Sequence, residues 1–453
     1  MTTQKHDSST TGNFTTGRAP GALPLIGHAG HLMRRPITFL ESLSTYGDLV
    51  EIRIGTQRAY VPCHPELLRQ VLTDDRTFDK GGVIIERFRS VLGNGLGTCP
   101  HSDHRRQRRL MQPAFSKARL EEYSAVMRQE ITALSGSWQE GQEIDAFAVL
   151  YGLGLRVVVR TLLSSDLDDP TVEQVRHSFE RTLHEFLPRT IIPQQIQQLP
   201  LAVNRRYHQE LQALDEVVNR IIADCRDAGL ERGGLLATLT ASHAGGGVPM
   251  DDSEIHDQVI TMLLGGSEST GTTLTWALYL LSQHPEIEMR LHEEVDTVLN
   301  GRPADWNDLP NLSLTHNIIT ETLRLYPPGW LLSRTTTKEV ELAGTRMAPD
   351  TTIVFSPHVI QRQGDIHGCP DVFDPDRWSP DRTADLPRGN FVSFGGGPRK
   401  CIGDTFGEVQ STLALSTIAA RWKMECAPGS DIRPVAFDFA YRPRRLILRP
   451  RLR

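Results

Sequence analysis

One cysteine lies in a sequence context that favours chemistry. The stretch FGGGPRKCIGD, residues 394–404, places Cys401 just before a predicted helix, whose positive N-terminal end is expected to lower the pKa of a thiol. Three successive glycines let the backbone turn sharply and approach a bulky, flat ligand. Arg399 and Lys400 add positive charge. Because no histidine or asparagine partner is evident, the pattern favours a metal ligand over a nucleophile.

A lone thiolate leaves two interpretations of Cys401 open. A single cysteine ligand on a large cofactor is typical of haem iron, where the thiolate favours O–O bond cleavage. A buried structural cysteine at a helix start is the alternative, and the loop taken alone does not decide between them. A dinucleotide-binding loop is excluded, because Lys400 stands where G-x-G-x-x-G requires its third glycine.

A second stretch, LLGGSESTGTTL at residues 263–274, combines glycines, hydroxyl groups and one carboxylate. Gly266 and Gly271 have the spacing of a phosphate-binding loop, but Thr272 replaces the lysine that such a loop requires. The stretch lies inside a long predicted helix, where a buried carboxylate is costly unless it has a partner or serves a proton path. Glu268 is therefore a candidate for proton delivery; a glutamate that faces solvent is the alternative.

One acid and two arginines are expected to form a buried network. Glu321 and Arg324 are three residues apart in ETLR and share one face of a predicted helix. In an apolar helix such a pair is more often structural than catalytic. FDPDRW, residues 373–378, supplies Arg377 as a third member. This network would brace the loop that holds Cys401.

Composition restricts the class of protein that positions these groups. The chain has 453 residues, a formal net charge of −6 and six scattered cysteines without a C-x-x-C pair. The charge argues against a protein that coats nucleic acid, and the cysteines argue against a disulfide framework. A polar N-terminus and the lack of an apolar run of about 18 residues predict a cytoplasmic protein with no membrane insertion.

Hydrophobic periodicity predicts a mainly α fold with small β-sheets, an α+β class. Residues 1–20 are expected to be a disordered tail, and residues 21–453 a single domain. The long helix should begin with a capping box of Asp251 and Glu254. The elements expected around the chemistry are two strands at 49–63, a helix at 251–285, a helix at 314–328, an irregular stretch at 366–400 and a last helix at 407–422.

Together these stretches resemble the cytochrome P-450 family of haem-thiolate monooxygenases. FGGGPRKCIG matches the family's cysteine loop, F-x-x-G-x-R-x-C-x-G, at every fixed position, and ETLR and FDPDRW match two further elements. GGSEST falls where the family carries its oxygen-activation motif, [AG]-G-x-[DE]-T-[TS], with Ser269 in place of the usual threonine. The resemblance runs from about residue 20 to the end of the chain.

The resemblance implies a cytochrome P-450 fold with haem b between a long central helix and the cysteine-loop helix, and O2 as cosubstrate. It assigns iron ligation to Cys401, and it implies that Gly265 and Gly266 let the long helix open locally over the cofactor. Cofactor contacts are implied for His104, Arg108, Arg334 and Arg399 at the propionates and for Gly266 and Phe394. Catalytic proton transfer is implied for Glu268, Ser269 and Thr270.

The resemblance also implies electrons from a redox partner, here a ferredoxin and a ferredoxin reductase that draw on NAD(P)H. The basic residues that could form the docking face are Arg105, Arg106, Arg109 and Lys400. No nucleic-acid partner is expected.

Segments such as HRRQRRLMQPAF and IITETLRLYPPGWLLSRT are most similar to actinobacterial members that oxidise terpenes, which favours a cyclic, sesquiterpene-like substrate of secondary metabolism. A fatty acid or polyketide is the alternative substrate. A haem-thiolate sensor or carrier and a peroxide-driven enzyme are the alternative functions. The candidate substrate contacts are Met262, Leu263, Gly266, Trp330, Leu331 and Phe437.

Overall fold

The computed structural model describes residues 14–185, 189, 197–228, 234–241, 250–363, 366–384, 389–435 and 440–453. The α-helices in this part of the chain are α1 (Ala29–Arg34), α2 (Pro36–Leu43), α3 (Pro65–Thr73), α4 (Gly82–Leu92), α5 (His101–Met111), α6 (Lys117–Ser137), α7 (Ala146–Thr161), α8 (Asp169–His184), α9 (Ala202–Ala228), α10 (Leu235–Ala241), α11 (Asp252–Gln283), α12 (Pro285–Leu299), α13 (Ser313–Leu325), α14 (Pro357–Ile360), α15 (Pro380–Thr383) and α16 (Asp404–Ala419). Short 3-10 helices are Ser44–Tyr46, Gln112–Phe115, Trp306–Asn311, Pro375–Trp378 and Gly397–Arg399.

The strands are short and form small sheets. They are β1 (Thr16–Arg18), β2 (Leu49–Ile54), β3 (Gln57–Pro62), β4 (Phe78–Asp79), β5 (Ile144–Asp145), β6 (Leu332–Thr336), β7 (Val340–Leu342), β8 (Thr345–Met347), β9 (Thr352–Phe355), β10 (Trp422–Cys426), β11 (Asp431–Pro434), β12 (Pro443–Arg445) and β13 (Ile447–Leu452). The largest sheet has the order β1-β2-β3-β9-β6-β4, and a second has the order β10-β13-β5. The predicted mainly α fold with small sheets is confirmed.

The N-terminal prediction needs a correction. β1 pairs in parallel with β2, with Thr16 opposite Leu49, so Thr16–Arg18 belong to the large sheet and not to a disordered tail. The cause is backbone hydrogen bonding, which a polar, Pro/Gly-rich sequence does not reveal. Residues 1–13 lie outside the described residues. Among the helices described, none has the length and hydropathy required to cross a bilayer.

The central helix, α11, begins and ends close to its predicted bounds. Asp251 accepts a hydrogen bond from the Glu254 backbone N–H at 2.8 Å, and Glu254 accepts one from the Asp251 N–H at 3.2 Å. This reciprocal capping box fixes the first turn. Pro285, which cannot continue the hydrogen-bond ladder, opens the next helix. The predicted local opening at Gly265 and Gly266 is wrong, because the helix is continuous through both residues.

Glycines bring the central helix into close contact with α7. A β-carbon added at Gly271 would lie 2.9 Å from the backbone N of Tyr151, and one at Gly154 would lie 2.9 Å from the Ser267 carbonyl oxygen. At Gly266 the nearest atom would be Val158 Cγ2 at 2.4 Å. Gly266 therefore serves helix packing, a role that the sequence analysis did not predict.

Replacing Gly271 with alanine is expected to lower the free energy of unfolding by about 1–3 kcal/mol, because the added methyl group meets backbone atoms of α7 that cannot rotate away. Chemical denaturation of the purified protein measures the change. Gly136→Ala on α6 is the control, since no atom lies within 4 Å of its added β-carbon. Equal stabilities of the two variants would contradict the close helix contact.

The cysteine loop, residues 394–403, depends on two glycines with positive φ. Gly395 has φ +71° and Gly397 has φ +63°, and a β-carbon at Gly397 would lie 2.1 Å from the Leu72 carbonyl oxygen. The Cys401 backbone N–H donates to the Phe394 carbonyl oxygen at 2.8 Å and closes the loop. Helix α16 starts at Asp404, so the sulfur lies just before its N-terminus as predicted.

Candidate active site

An internal cavity of about 330 Å³ separates the central helix from the cysteine loop. From the central helix it is lined by Met262, Gly265, Gly266, Ser269, Thr270 and Thr273. From the cysteine loop and the start of α16 it is lined by Phe394, Gly395, Arg399, Lys400, Cys401, Ile402, Gly403, Phe406 and Gly407. The sheet and the first helices contribute Lys80, His104, Arg108 and Arg334. The cavity thus collects most of the predicted site residues.

Cys401 lines this cavity, but its electrostatics differ from the prediction. Burial inside the protein raises the pKa of the thiol, although the Gly403 N–H and the cations of Arg108 and Lys80 act in the opposite direction. The expected lowering by the helix end is therefore outweighed by desolvation. A thiolate at this position requires a strong positive partner such as a metal ion, and binding that partner releases the thiol proton.

Two cations on the cavity wall, the half-buried Lys80 and the buried Arg334, have no carboxylate within ion-pair distance in the described part of the chain. The Nζ of Lys80 donates to the Gly97 carbonyl oxygen, and Arg334 donates to the Ser333 carbonyl oxygen at 2.9 Å. Burial and the neighbouring arginines lower the pKa of Lys80 to about 7, and burial lowers that of Arg334 to about 10. Burying such charges is unfavourable unless an anion compensates them. A ligand that carries carboxylates, such as haem with its two propionates, fits this wall.

His104 and Arg108 lie one turn apart on α5 and both line the cavity, as the H-x-x-x-R spacing predicts. Arg108 donates to the Lys400 carbonyl oxygen at 2.5 Å and so joins α5 to the cysteine loop. Burial, together with the charges of Arg399 and Lys80, lowers the pKa of His104 to about 3. Burial and the neighbouring cations therefore disfavour the charged form of His104.

Arg399 also lines the cavity, but its charge is already compensated. Its guanidinium lies 3.2 Å from an Asp75 carboxylate oxygen and 2.7 Å from one of Asp79, and it donates to the Cys99 carbonyl oxygen at 2.8 Å. These contacts fasten the cysteine loop to β4, to the turn before β4 and to the segment before α5. Asp75 and Asp79 compensate the charge of Arg399, and its assignment to a propionate stays a prediction.

The predicted network of Glu321, Arg324 and Arg377 comes together behind the loop. Arg324 and Glu321 form a bidentate ion pair with distances of 2.7 and 2.8 Å, and both side chains are fully buried. Arg377 Nε lies 3.4 Å from the Glu321 carboxylate, and the Trp378 indole N–H donates to the same carboxylate at 2.9 Å. Arg324 also donates to the carbonyl oxygens of Gln361, Pro370 and Val372, which fixes the irregular stretch after α14.

The three candidate proton-transfer residues divide between two faces of the central helix. Ser269 and Thr270 line the cavity, whereas Glu268 does not. Glu268 is 3% exposed, so the alternative of a solvent-facing glutamate is wrong. Its carboxylate lies toward α7, near enough to contribute to the raised pKa of Tyr151, which is chiefly an effect of burial. Ser269 Oγ donates to the Gly265 carbonyl oxygen at 2.6 Å, within the intact helix.

The predicted substrate contacts are only partly placed at the cavity. Met262 and Gly266 line it, whereas Leu263 is fully buried in the main core. Trp330 and Leu331 pack in a separate cluster under the large sheet and do not line it. The cause is side-chain direction, which the spacing in PPGWLL leaves open. Phe437 lies outside the described residues.

Several lining residues were missed by the sequence analysis. Lys80 follows a two-residue strand, and its segment contains no motif that would single it out. The apolar side chains Leu96, Leu162, Leu332 and Phe355 come from four distant segments and have ordinary core composition. Only the fold reveals that they surround one cavity.

A single thiol that faces a cavity with two such cations on its wall fits a haem-thiolate protein, in which binding of the iron would release the thiol proton. In the described residues there is no cluster of three or more histidine, cysteine or acidic side chains that would indicate another metal site. The Cytochrome P450 family profile matches residues 18–449, and the chain belongs to this family. It is a cytochrome P450 monooxygenase, for which the family implies haem as cofactor and O2 as cosubstrate.

The chain is similar over almost its whole length to several known proteins. The chain is 51% identical to pentalenene oxygenase of Streptomyces avermitilis, over 96% of this chain and 97% of the relative. It is 45% identical to cyclooctatin synthase of Streptomyces melanosporofaciens, over 96% and 95%. It is 42% identical to cyclooctat-9-en-7-ol 5-monooxygenase of the same organism, over 92% of each.

A solved structure supports the fold independently. The crystal structure of a cytochrome P450DA heme domain superposes with a TM-score of 0.86 at 22% sequence identity, covering 97% of this chain and 98% of that one.

Proposed function

We propose that this monooxygenase hydroxylates a cyclic terpenoid of sesquiterpene-like size in bacterial secondary metabolism. The observation that carries the proposal is the apolar lining of the cavity by Leu96, Leu162, Met262, Leu332 and Phe355. Such a surface binds a hydrocarbon skeleton by its shape and by burial of apolar area. The relatives named pentalenene oxygenase and cyclooctatin synthase support the same substrate class.

A fatty acid is less well supported. A carboxylate substrate requires a cation separate from those that would hold the cofactor. The cations of the described cavity wall influence one another and Cys401 electrostatically, so they form one cluster at the cysteine loop.

Binding-induced changes in the haem absorption spectrum test the substrate class. A panel of cyclic sesquiterpene hydrocarbons, medium-chain fatty acids and macrolide polyketides is titrated into the holoenzyme. Tight binding of a sesquiterpene, followed by a hydroxylated product under O2 with reductant and redox partners, would support the proposal. Product from a fatty acid or polyketide alone would overturn it, and binding without any product would favour a sensor or carrier.

The residues of this chain would hold haem through its iron and through its propionates. When bound, haem supplies the iron at which O2 is activated, and the cysteine ligand favours O–O cleavage. Cys401 would ligate the iron, and Lys80, Arg334, His104 and Arg108 would bind the propionates. The open space beside Gly265, where an added β-carbon meets nothing within 4 Å, would admit the flat face of the group.

Ser269 is the side chain that we propose for positioning a proton donor in the cavity. Because its own proton is engaged by the Gly265 carbonyl oxygen, its lone pairs are free to accept a hydrogen bond from water. Glu268, the residue before Ser269, is buried toward α7 and would supply protons through water and Thr270.

Ser269→Ala is expected to raise peroxide release per electron by about tenfold, because proton delivery by a positioned group contributes about that much or more. Peroxide and product are measured against NAD(P)H consumed. Thr261→Ala is a matched control, since Thr261 lines the same cavity and donates to its own i−4 carbonyl oxygen at 2.6 Å. Equal peroxide release by both variants would move the route to Thr270.

Electrons would come from a ferredoxin, reduced by a ferredoxin reductase at the cost of NAD(P)H. A surface depression of about 900 Å³ is lined by Arg76, Arg105 and Arg109, and it shares His104 and Arg108 with the internal cavity. A protein with an acidic face would dock there close to the cofactor edge. Arg106 is excluded from this surface, because it pairs with Glu254 of the central helix.

Six free cysteines support a cytoplasmic location.

Replacing Arg105 and Arg109 with glutamate is expected to lower ferredoxin-dependent turnover at low salt by about tenfold or more, because the docking field changes sign. Reduction by dithionite should be unchanged. Arg346→Glu with Arg445→Glu makes the same change of charge at exposed arginines elsewhere and serves as the control. A loss of the same size in the control would reject the depression as the docking site.

A further inference from the structure

A run of seven consecutive exposed residues lies near the N-terminus. Residues 20–26, PGALPLI, are all uncharged and all exposed, with exposed fractions of 57% for Leu23, 81% for Leu25 and 46% for Ile26. Single exposed apolar side chains are ordinary, but such a run in a folded protein indicates an interaction surface. We call residues 20–26 the apolar loop.

The apolar loop is held rigidly in this exposed conformation. Leu23 and Gly27 exchange two backbone hydrogen bonds of 2.9 and 2.8 Å, which closes a tight turn. Leu25 has φ +66°, a left-handed conformation that is rare for a bulky side chain and turns it toward solvent. A relaxed loop would instead fold its leucines inward.

A buried histidine anchors the base of the loop. His28 is 2% exposed; its Nδ1 accepts from the Arg53 N–H at 2.9 Å, and its Nε2 lies 3.2 Å from the carbonyl oxygens of Ala19 and Pro20. Both ends of the loop are thereby tied to β2. The geometry is that of a fixed apolar tip on a rigid sheet.

Positive charge surrounds the tip. Arg34 and Arg35 are exposed at the end of the short helix α1, which follows the loop, and Arg18 and Arg53 are exposed on the two strands beside its base. No acidic residue occurs from residue 14 to residue 40, although the whole chain has a net charge of −6. On β2, Glu51 is buried between Arg18 and Arg58.

We infer that the apolar loop inserts peripherally into the surface of an anionic lipid bilayer, with the arginines at the headgroups. An apolar tip inside a basic rim fits the boundary between acyl chains and anionic headgroups, where each cation adds attraction that salt screens. The charge of the rest of the chain would leave this face as the one that approaches the bilayer. Such contact would place the enzyme where an apolar substrate accumulates.

Co-sedimentation of the full-length holoenzyme with vesicles tests the inference. We expect binding to phosphatidylglycerol vesicles at low salt, weaker binding in 0.5 M salt by about tenfold, and little binding to phosphatidylcholine vesicles. Changing Leu23, Leu25 and Ile26 together to glutamine should reduce the partition coefficient by about tenfold or more. Changing Arg34 and Arg35 together to glutamine should remove most of the salt dependence.

Two matched triple variants make the result specific. Met289→Gln, Val372→Gln and Leu452→Gln remove three equally exposed but scattered apolar side chains, and this variant should bind as the unmodified enzyme does. The second control concerns another apolar run, Leu199, Leu201 and Val203, which are 48, 46 and 50% exposed and precede Arg205 and Arg206. In this variant the three apolar residues are likewise replaced with glutamine.

Several outcomes would overturn the inference. These are absence of vesicle binding, undiminished binding by the apolar-loop variant, an equal loss in the scattered control, or a loss confined to the 199–203 variant. A shift from dimer to monomer in the apolar-loop variant, measured by size-exclusion chromatography without lipid, would assign the loop to a second copy of the chain. The carbon monoxide spectrum of each variant confirms that the holoenzyme is intact.

Discussion

Replacing Cys401 with alanine is expected to abolish the thiolate-type spectrum of the reduced, carbon monoxide-bound protein. Turnover should fall by at least about a thousandfold, which corresponds to about 4 kcal/mol of activation free energy. The reason is that Cys401 supplies the only thiol on the described wall of the cavity, where the other sulfur is the Met262 thioether. Absorption spectroscopy and product formation by the purified variant measure both effects.

A second cysteine near the site provides the control. Cys99 is fully buried, and its carbonyl oxygen accepts from Arg399 at 2.8 Å, but its side chain does not line the cavity. Cys99→Ala should retain the thiolate spectrum. If Cys401→Ala also retained it, the assignment of the iron ligand would be wrong.

Glu321→Gln is expected to lower the free energy of unfolding by about 3–5 kcal/mol, because it leaves two buried guanidinium groups without their shared carboxylate. Arg324 and Arg377 would both lose this partner, as would the indole N–H of Trp378. Since the network fixes the segment that leads to the cysteine loop, haem retention should fall in parallel. Urea denaturation and haem transfer to apomyoglobin measure the two effects.

The chain offers an exposed ion pair with the same spacing as a control. Glu66 and Arg69 are also three residues apart and form contacts of 2.7 Å, but their side chains are 40 and 45% exposed. Glu66→Gln should cost about 0–1 kcal/mol, the usual range for a surface pair. Similar losses in both variants would show that burial of the network contributes little.

Sequence reasoning succeeded where the chemistry is local. The cysteine loop, the capping box of Asp251 and the pairing of Glu321 with Arg324 each depend on residues a few positions apart, whose spacing determines shared faces and turns. The central helix was therefore predicted to within two residues at each end.

What the sequence did not reveal depends on long-range contacts. Arg399 pairs with Asp75 and Asp79, more than three hundred residues earlier, so its compensated charge could not be predicted. The same holds for the raised pKa of Cys401 and for Lys80, because burial is a property of the folded chain. The i−4 hydrogen bond of Ser269 was missed because a hydroxyl on a helix has a choice of partners.

The glycine contacts between the central helix and α7 also limit how the enzyme can diversify. Gly154 and Gly271 bring the two backbones into contact and Gly266 packs against the Val158 side chain, so little side-chain volume between these helices is available for removal. The leucines at 96, 162 and 332 come from separate segments and can change size one at a time. New substrate shapes are therefore accessible by gradual mutation on the leucine side, while the glycine side keeps a constant distance to the reacting atoms.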